Sequence, residues 1–365
     1  MHIKTFIKNH IMMLAAFLAA ALTVIFVPVD RAYAAYLDYR TLTCLFCVLA
    51  VVCALRDVNF FYVLATRIVT RFKNVRACVM VLVYITFIGS MLITNDTALL
   101  TFLPLGYFVL KSAGKEKYLA FTFIMQNMAA NLGGMLTPFG NPQNLYLYTR
   151  FNIPTPEFVK ILLPPFLVSI ALITVCCLFV KPDSMELCGE KVEFRAKPTA
   201  FYLLLFLYSV GIVVRLIPFW TGLIVIPLAL IITDRHALET VDYSLLLTFV
   251  FFFIFAGNMA RIDAVQDFFS MLMSKNALLC SALCSQVISN VPSAILLSQF
   301  TQNYADLLIG VNIGGAGTLI ASLASLITFH EFTLHEPHGA KEFIAKFSVY
   351  NFAFLAVLLV FTHIF

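Results

Sequence analysis

The sequence predicts an all-α polytopic membrane protein, and three observations carry that expectation. Of 365 residues, 61% are hydrophobic and only 12% charged, whereas a soluble domain is nearer half apolar and a quarter charged. At least nine runs approach the roughly 20 apolar residues that span hydrocarbon. Polar clusters break some of these runs at a depth where an ordinary span is apolar throughout. A β-barrel is excluded, because its strands alternate apolar and polar positions over about 10-residue segments. The longest polar stretch, about 181–197, is loop-sized, so a soluble catalytic domain has nowhere to sit. An intramembrane enzyme needs a catalytic pair such as two Asp or a HExxH on helices, and neither is present. The chain is read as a non-enzyme without a cofactor. Its net charge of +5 is a topology signal, with no nucleic-acid partner implied.

Taken in order, 11–29 is a first helix behind a segment carrying Lys4 and Lys8. Ala32-Tyr33-Ala34 resembles a signal-peptidase site, but the apolar run is long for a signal and Asp30-Arg31 precedes the small residues, so an uncleaved helix is expected. A second helix covers 41–55, and 59–70 suits an interfacial amphipathic helix. The arms 77–93 and 98–110 are joined only by TNDT (94–97), which is too abrupt for a loop between crossings and suits a helical hairpin buried in protein. Pieces 118–135 and 143–150 flank a TPFGNP break, and 159–180 spans.

A polar loop and a connecting crossing, 199–217, follow, then helices 219–232 and 243–257 and an amphipathic segment, 262–273. Arms 277–288 and 293–308 form a second hairpin around SNVP, 310–328 is broken at Gly314-Gly315, and 347–365 ends the chain. The dense run His330, Glu331, His335, Glu336 and His338 is read as solvated loop, its spacing only loosely metal-like. The cysteines, mostly in or at the ends of apolar runs, are read as packing residues.

The same six items therefore occur twice: helix, helix, amphipathic helix, hairpin, broken helix, helix. This divides the chain into a first repeat (1–180), a loop with one connecting helix (181–218) and a second repeat (219–365). One odd crossing between equal units inverts the second, giving about nine crossings plus two re-entrant hairpins. With the N-terminus cytoplasmic, the loops predicted inside hold 17 of the 24 Lys and Arg residues, as the positive-inside rule requires. Arg215, near the outer end of the connecting helix, is expected to snorkel to the surface. The C-terminus falls on the opposite side, and a bacterial-type inner membrane is the expected location.

Polar residues at membrane depth mark the candidate site. Gly133-Gly134 and Gly314-Gly315 interrupt helices with every reason to continue, and each unwinding frees backbone groups that need partners. Thr137, Gly140 and Asn141 follow the first break, and Asn312 and Thr318 flank the second. Half-helix N-termini aim partial positive charge at anions, while C-terminal ends offer carbonyls to cations. The tips add Thr94, Asn95, Asp96, Thr97, Ser289 and Asn290. Asn side chains coordinate a cation through oxygen or an anion through N–H. Asp96 alone among 19 acidic residues is central to an apolar stretch, and such groups are costly enough to be functional candidates. The substrate- and ion-binding set is Thr94, Asn95, Asp96, Thr97, Gly134, Thr137, Gly140, Asn141, Ser289, Asn290, Asn312, Gly315 and Thr318; Asn95, Asp96 and Asn290 are the Na⁺ candidates.

With those residues in place, the sequence resembles the ion transporter superfamily that includes citrate-transporter-like proteins, divalent-anion/sodium symporters, arsenite permeases and one type of sodium/proton antiporter. TNDTALLTFLPL, NLGGMLTPFGNPQNLYLY, SNVPSAILLSQF and NIGGAGTLIASLASL look like its two hairpins and two broken helices. The resemblance implies a homodimer in the bilayer, with scaffold helices and a moving transport domain that carries the hairpins. Thr94-Asn95 and Ser289-Asn290 match the first two positions of the Ser-Asn-Thr tips of dicarboxylate symporters, whereas Asp96 and Val291 replace the third. The implied function is secondary transport of a small organic or inorganic anion coupled to Na⁺ or H⁺. The alternatives are a Na⁺/H⁺ antiporter or an arsenite-type permease.

Overall fold

The computed structural model describes residues 10–185 and 196–364, so expectations for 1–9 and for most of the polar loop lie outside the described residues. The described chain is helical, with one isolated β-bridge between Asn74 and Ser184. Sixteen main helices run in order: α1 Ile11–Val24, α2 Tyr39–Asp57, α3 Phe60–Val69, α4 Val75–Ile93, α5 Asn95–Ser112, α6 Leu119–Gly133, α7 Pro142–Arg150 and α8 Thr155–Leu178. They continue with α9 Ala196–Val213, α10 Phe219–Thr233, α11 Tyr243–Met259, α12 Asp263–Ile288, α13 Asn290–Leu297, α14 Tyr304–Ile313, α15 Leu323–His335 and α16 Ala340–Ile364. Among the described residues, six helical stretches are long and apolar enough to cross a membrane.

Two groups of helices emerge from the packing. α1, α2, α9, α10 and α11 pack on one another as a frame, while α4–α8 and α12–α16 pack together around the two hairpins. The groups meet mainly where α2 touches α7 and where α11 touches α13; α3 lies along α4 and α5.

The predicted loop sides stay separate. On one face Asp57 pairs with His236 at 2.8 Å, Lys117 with Asp183 at 3.5 Å, and His335 stacks on Tyr107. On the other, Asp30 pairs with Arg261 at 2.7 Å, Arg150 meets Gln299, and Tyr304 donates to Glu157. No described ion pair joins a loop predicted inside to one predicted outside. The α4–α5 hairpin opens on the first face and the α12–α13 hairpin on the second.

The two halves correspond in detail around their breaks. Each hairpin turns on one residue in the same unusual conformation, Thr94 (φ 72, ψ 149) and Ser289 (φ 74, ψ 156). Residues with a Cβ rarely adopt positive φ; each such turn costs about 1–3 kcal/mol and persists only where its surroundings dictate it. Here they do. The Thr137 hydroxyl donates to the Met91 carbonyl at 2.7 Å, and Thr318 to the Gln286 carbonyl at 2.9 Å; each acceptor precedes its tip by three residues. Both breaks end in an extended cap, Asn141 (φ −133, ψ 141) and Ser322 (φ −148, ψ 143).

Three expectations are corrected. The outgoing arm of the second hairpin stops at Leu297, because the polar Ser298–Asn303 turn restarts the chain with Asn303 capping α14 through the Asp306 N–H. The broken helix therefore runs from Tyr304 to His335. The segments 262–273 and 277–288 stay two helical pieces, as expected, separated within α12 by the non-helical Asn276 (φ −161, ψ 91), whose side chain caps the second at Leu279. Residues 330–335 are helical, because Phe332 stacks on Phe343 and His335 on Tyr107, and α16 begins at Ala340. Arg215 does not snorkel: its guanidinium lies 4.3 Å from the Tyr148 ring centre and donates to the Tyr148 carbonyl.

Close approach at the first break fixes one glycine. A Cβ on Gly133 would strike the Phe87 backbone carbonyl and the Ser90 hydroxyl. Gly133→Ala should destabilise the purified protein by about 1–3 kcal/mol, the usual cost of overpacking a tight interior. A lowered thermal unfolding midpoint in detergent checks this.

Candidate functional site

Four helices begin at one place. The N-termini of α5 (Asn95, Asp96), α7 (Pro142, Gln143), α13 (Asn290, Val291) and α15 (Ser322, Leu323) all line a single cavity of about 760 Å³. Each helix start carries roughly half a positive charge, although Pro142 and Pro292 bring no N–H and those of Asn95, Asp96 and Ala324 already have acceptors. The remaining wall comes from the frame and the cavity mouth: His10 at the start of α1, Asp242, Ser244 and Leu245 at the start of α11, and His330 on α15. His10, Asp242 and His330 lie toward the face of Asp57 and His236, so the cavity opens there. Among the described lining residues there is no Lys or Arg, and the carboxylates are Asp96 and Asp242.

Beside it a smaller cavity of about 100 Å³ lies between the first tip and the frame. Asp96 and Asp242 line this one too, with Arg56, Thr94, Thr97 and Thr240. The isolation expected of Asp96 is thereby corrected: a second carboxylate and an arginine share its surroundings. Sequence reasoning placed Asp242 and Arg56 in loops. The cavity, however, places these loop charges beside the tip.

Behind the cavity lies a buried amide network. Asn131, ahead of the first Gly-Gly, accepts from Asn95 Nδ2 at 3.3 Å and from the Ser322 hydroxyl at 2.8 Å. Asn312, ahead of the second, accepts from Asn141 Nδ2 at 3.3 Å and donates to Asn144 Oδ1 at 2.6 Å. The two cross-links are counterparts: the helix-breaking Asn of each half accepts from the residue that caps the restarted helix of the other half. Asn144 in turn donates to the freed carbonyls of Gly134, Met135 and Thr137. Gln286 satisfies the second break, donating to Gly314 and Ala316 and accepting from the Thr318 N–H.

The sequence-predicted residues thus divide. Asn95, Asp96, Ser289 and Asn290 line the main cavity, and Thr94 and Thr97 the smaller one, with Thr94 donating to Thr97 at 3.1 Å. Gly134, Thr137, Gly140, Asn141, Asn312, Gly315 and Thr318 stand behind, holding the broken segments to the tips; the Asn95 N–H donates to the Gly140 carbonyl at 3.0 Å. No room exists for a Cβ on Gly134, which would meet Asn141 Oδ1, and Asn290 Nδ2 sits 3.1 Å from a Cβ built on Gly315. Sequence reasoning missed Asn131, Gln143, Asn144, Gln286, Ser322 and Asp242. The NLGG and NIGG pair already matched Asn131 with Asn312.

Several buried polar atoms near the tips have no hydrogen-bond partner among the described residues: Asp96 Oδ1, Asn141 Oδ1, Gln143 Oε1 and Asn131 Nδ2. Three of the four are acceptor oxygens, the atom type a hard cation takes; Asp96 and Gln143 line the main cavity, while Asn141 stands behind it against Gly134. Each uncompensated group costs roughly 1–3 kcal/mol if left dry. A further group able to hold a metal ion, Asp57, Asp234 and His236, lies outside the cavity, where His236 already pairs with Asp57.

A family model described as a citrate transporter matches residues 5–308. The chain is 34% identical over 292 residues to an uncharacterized transporter of Methanocaldococcus jannaschii, covering 80% of each chain. It is 30% identical over 311 residues to the inner membrane protein YbiR of Escherichia coli, covering 83% of this chain and 82% of the relative. It is also 30% identical over 191 residues to a silicon efflux transporter of Oryza sativa subsp. japonica, covering 49% and 38% of the two chains.

The cross-link between the halves can be tested by a double-mutant cycle on Asn131→Ala and Ser322→Ala. Each single change should destabilise by about 1–3 kcal/mol, and the pair should couple by about 0.5–3 kcal/mol. Denaturation of the purified variants measures both, and additive effects would rule out the bond.

Proposed function

The chain belongs to the citrate transporter family, and on that premise we propose that it moves a small organic or inorganic anion across the membrane, coupled to Na⁺ or H⁺. It is an integral membrane protein of a transporter family. The observation that carries the anion reading is the meeting of four helix N-termini at one cavity. Their dipoles favour negative charge at no cost in buried Lys or Arg. The orphaned acceptors of Asp96, Asn141 and Gln143, with the amide of Asn95, suit the coupling cation beside the substrate. Asn290 offers the equivalent amide from the second tip.

We read the two matched halves as inverted repeats whose hairpins enter from opposite faces, and the frame as the part that stays fixed while the hairpin group moves. With the N-terminus cytoplasmic, the state seen is open to the cytoplasm. This reading favours a bacterial-type inner membrane and a homodimer joined through the frame.

A second reading rests on one observation. The described cavity lining carries two carboxylates and no Lys or Arg, which disfavours a substrate with several negative charges by simple repulsion. Export of a small oxyacid against an entering cation, as by an arsenite-type permease or as the name of the silicon efflux relative suggests, fits that balance. Uptake and efflux in proteoliposomes, with a panel of carboxylates and oxyacids and with Na⁺ or pH gradients imposed separately, separate the two readings. Failure of every panel member under every gradient would overturn both.

Asp96 is the residue on which coupling should turn. Asp96→Asn keeps shape and hydrogen bonding but removes the charge, so the variant should fold with an unchanged melting midpoint and lose gradient-driven transport. Asp96→Glu should retain part of it with an altered Na⁺ or pH dependence. Wild-type rates and ion dependence in Asp96→Asn would remove this role.

A further inference from the structure

Arg215 follows the last turn of α9 in a left-handed conformation, φ 68, where the chain closes through Leu216 N–H to the Gly211 carbonyl. Glycine is the usual residue at such a helix end, because a Cβ is disfavoured there. Here an arginine stands at this position in spite of its backbone, and its side chain makes two contacts. Nη2 donates to the Tyr148 carbonyl at 2.7 Å, and the guanidinium stacks on the Tyr148 ring at 4.3 Å. Tyr148 is 1% exposed and lies in the last turn of α7, where the helix carries partial negative charge. Its hydroxyl shares a hydrogen bond of 2.6 Å with Thr155, and its ring packs on Phe158, so the partner is rigidly held.

The placement gives this contact its meaning. α9 belongs to the frame and α7 to the hairpin group; α7 also meets the frame along α2 and through the Tyr146–Phe253 ring contact, and Arg215 adds a tie at its last turn. α7 has nine residues, about 13 Å of helix. Its first residues face the cavity and its last turn is gripped by Arg215, on the face away from the cavity mouth. The Nε donor is buried without an acceptor among the described residues.

We propose that Arg215 is a positioning residue of the transport cycle: it latches α7 to the frame on the closed face, and this contact releases when the site opens to that face. The proposal rests on the transport reading above, in which the hairpin group moves against the frame. Removing the latch should move the resting population away from the state open at the cavity mouth.

The test needs no substrate. With the native cysteines replaced, a single cysteine at Leu326, which lines the cavity, is labelled from the mouth side by a membrane-impermeant maleimide in vesicles of known sidedness. Arg215→Gln and Arg215→Ala should slow this labelling by roughly tenfold, the effect of losing one stacked, charge-assisted contact from a two-state balance. Arg215→Lys keeps the charge without the planar stack and should fall between. Labelling at the parent rate in all three variants overturns the latch, and so does equal slowing in all three with a lowered melting midpoint, which marks a merely structural arginine. Slowed labelling in a protein that transports none of the anion panel leaves the latch standing and removes the transport reading. Parent-rate labelling with transport intact removes the latch alone.

Discussion

Two reciprocal hydrogen bonds hold the structure to its purpose: Ser322 to Asn131 and Asn141 to Asn312. Unwinding a helix inside a bilayer exposes carbonyl and N–H groups that lipid cannot satisfy, each at a cost of several kcal/mol. Each break takes partners from its own half, Asn144 in the first and Gln286 in the second, and is tied to the other half by one asparagine link. The first half supplies an asparagine to the cap of the second, and the second returns one. Beside those links, Asn144 and Gln286 hold the freed carbonyls, and Thr137 and Thr318 tie each break to the hairpin next to it. The strained tips at Thr94 and Ser289 then have no freedom to relax.

From this lock follows the electrostatics of the cavity. Because both helices restart at the links, their N-termini point at the same space as the hairpin tips. The positive ends of four helices offset the carboxylates of Asp96 and Asp242, so the site is polarised without a buried cation from the protein. The balance leaves acceptor oxygens unpaired near the first tip. Under the proposed transport reading, a cation and an anion that bind together would each meet an uncompensated charge alone, which is a physical basis for coupling.

Much of this was legible in the sequence, for reasons that can be named. Gly-Gly in an apolar helix, and TNDT where a loop should be, are visible because bilayer depth tolerates so few polar residues. The helix order and the separation of charged loops are legible for the same reason. Asn131 and Ser322 were harder, since one polar residue in a helix can face a partner anywhere in the fold. Asp242 and Arg56 looked like loop charges, because the depth of a loop depends on a cavity that only packing creates. The boundaries of α13–α15 went astray where local polarity, in 298–303, outweighed an apolar pattern that continues across it. The helical character of 330–335 depends on Phe332 and His335 finding aromatic partners from distant helices, which no local pattern encodes.

The central claim is that two tips, one from each half, build one binding site. Its most direct measurement is ligand protection of a cysteine placed at Thr94 and, separately, of one at Ser289, each in a background without the native cysteines. A transported anion in the presence of the coupling ion should protect both positions from alkylation with the same half-saturating concentration. Protection at one tip with none at the other, at concentrations that saturate transport, would contradict a shared site.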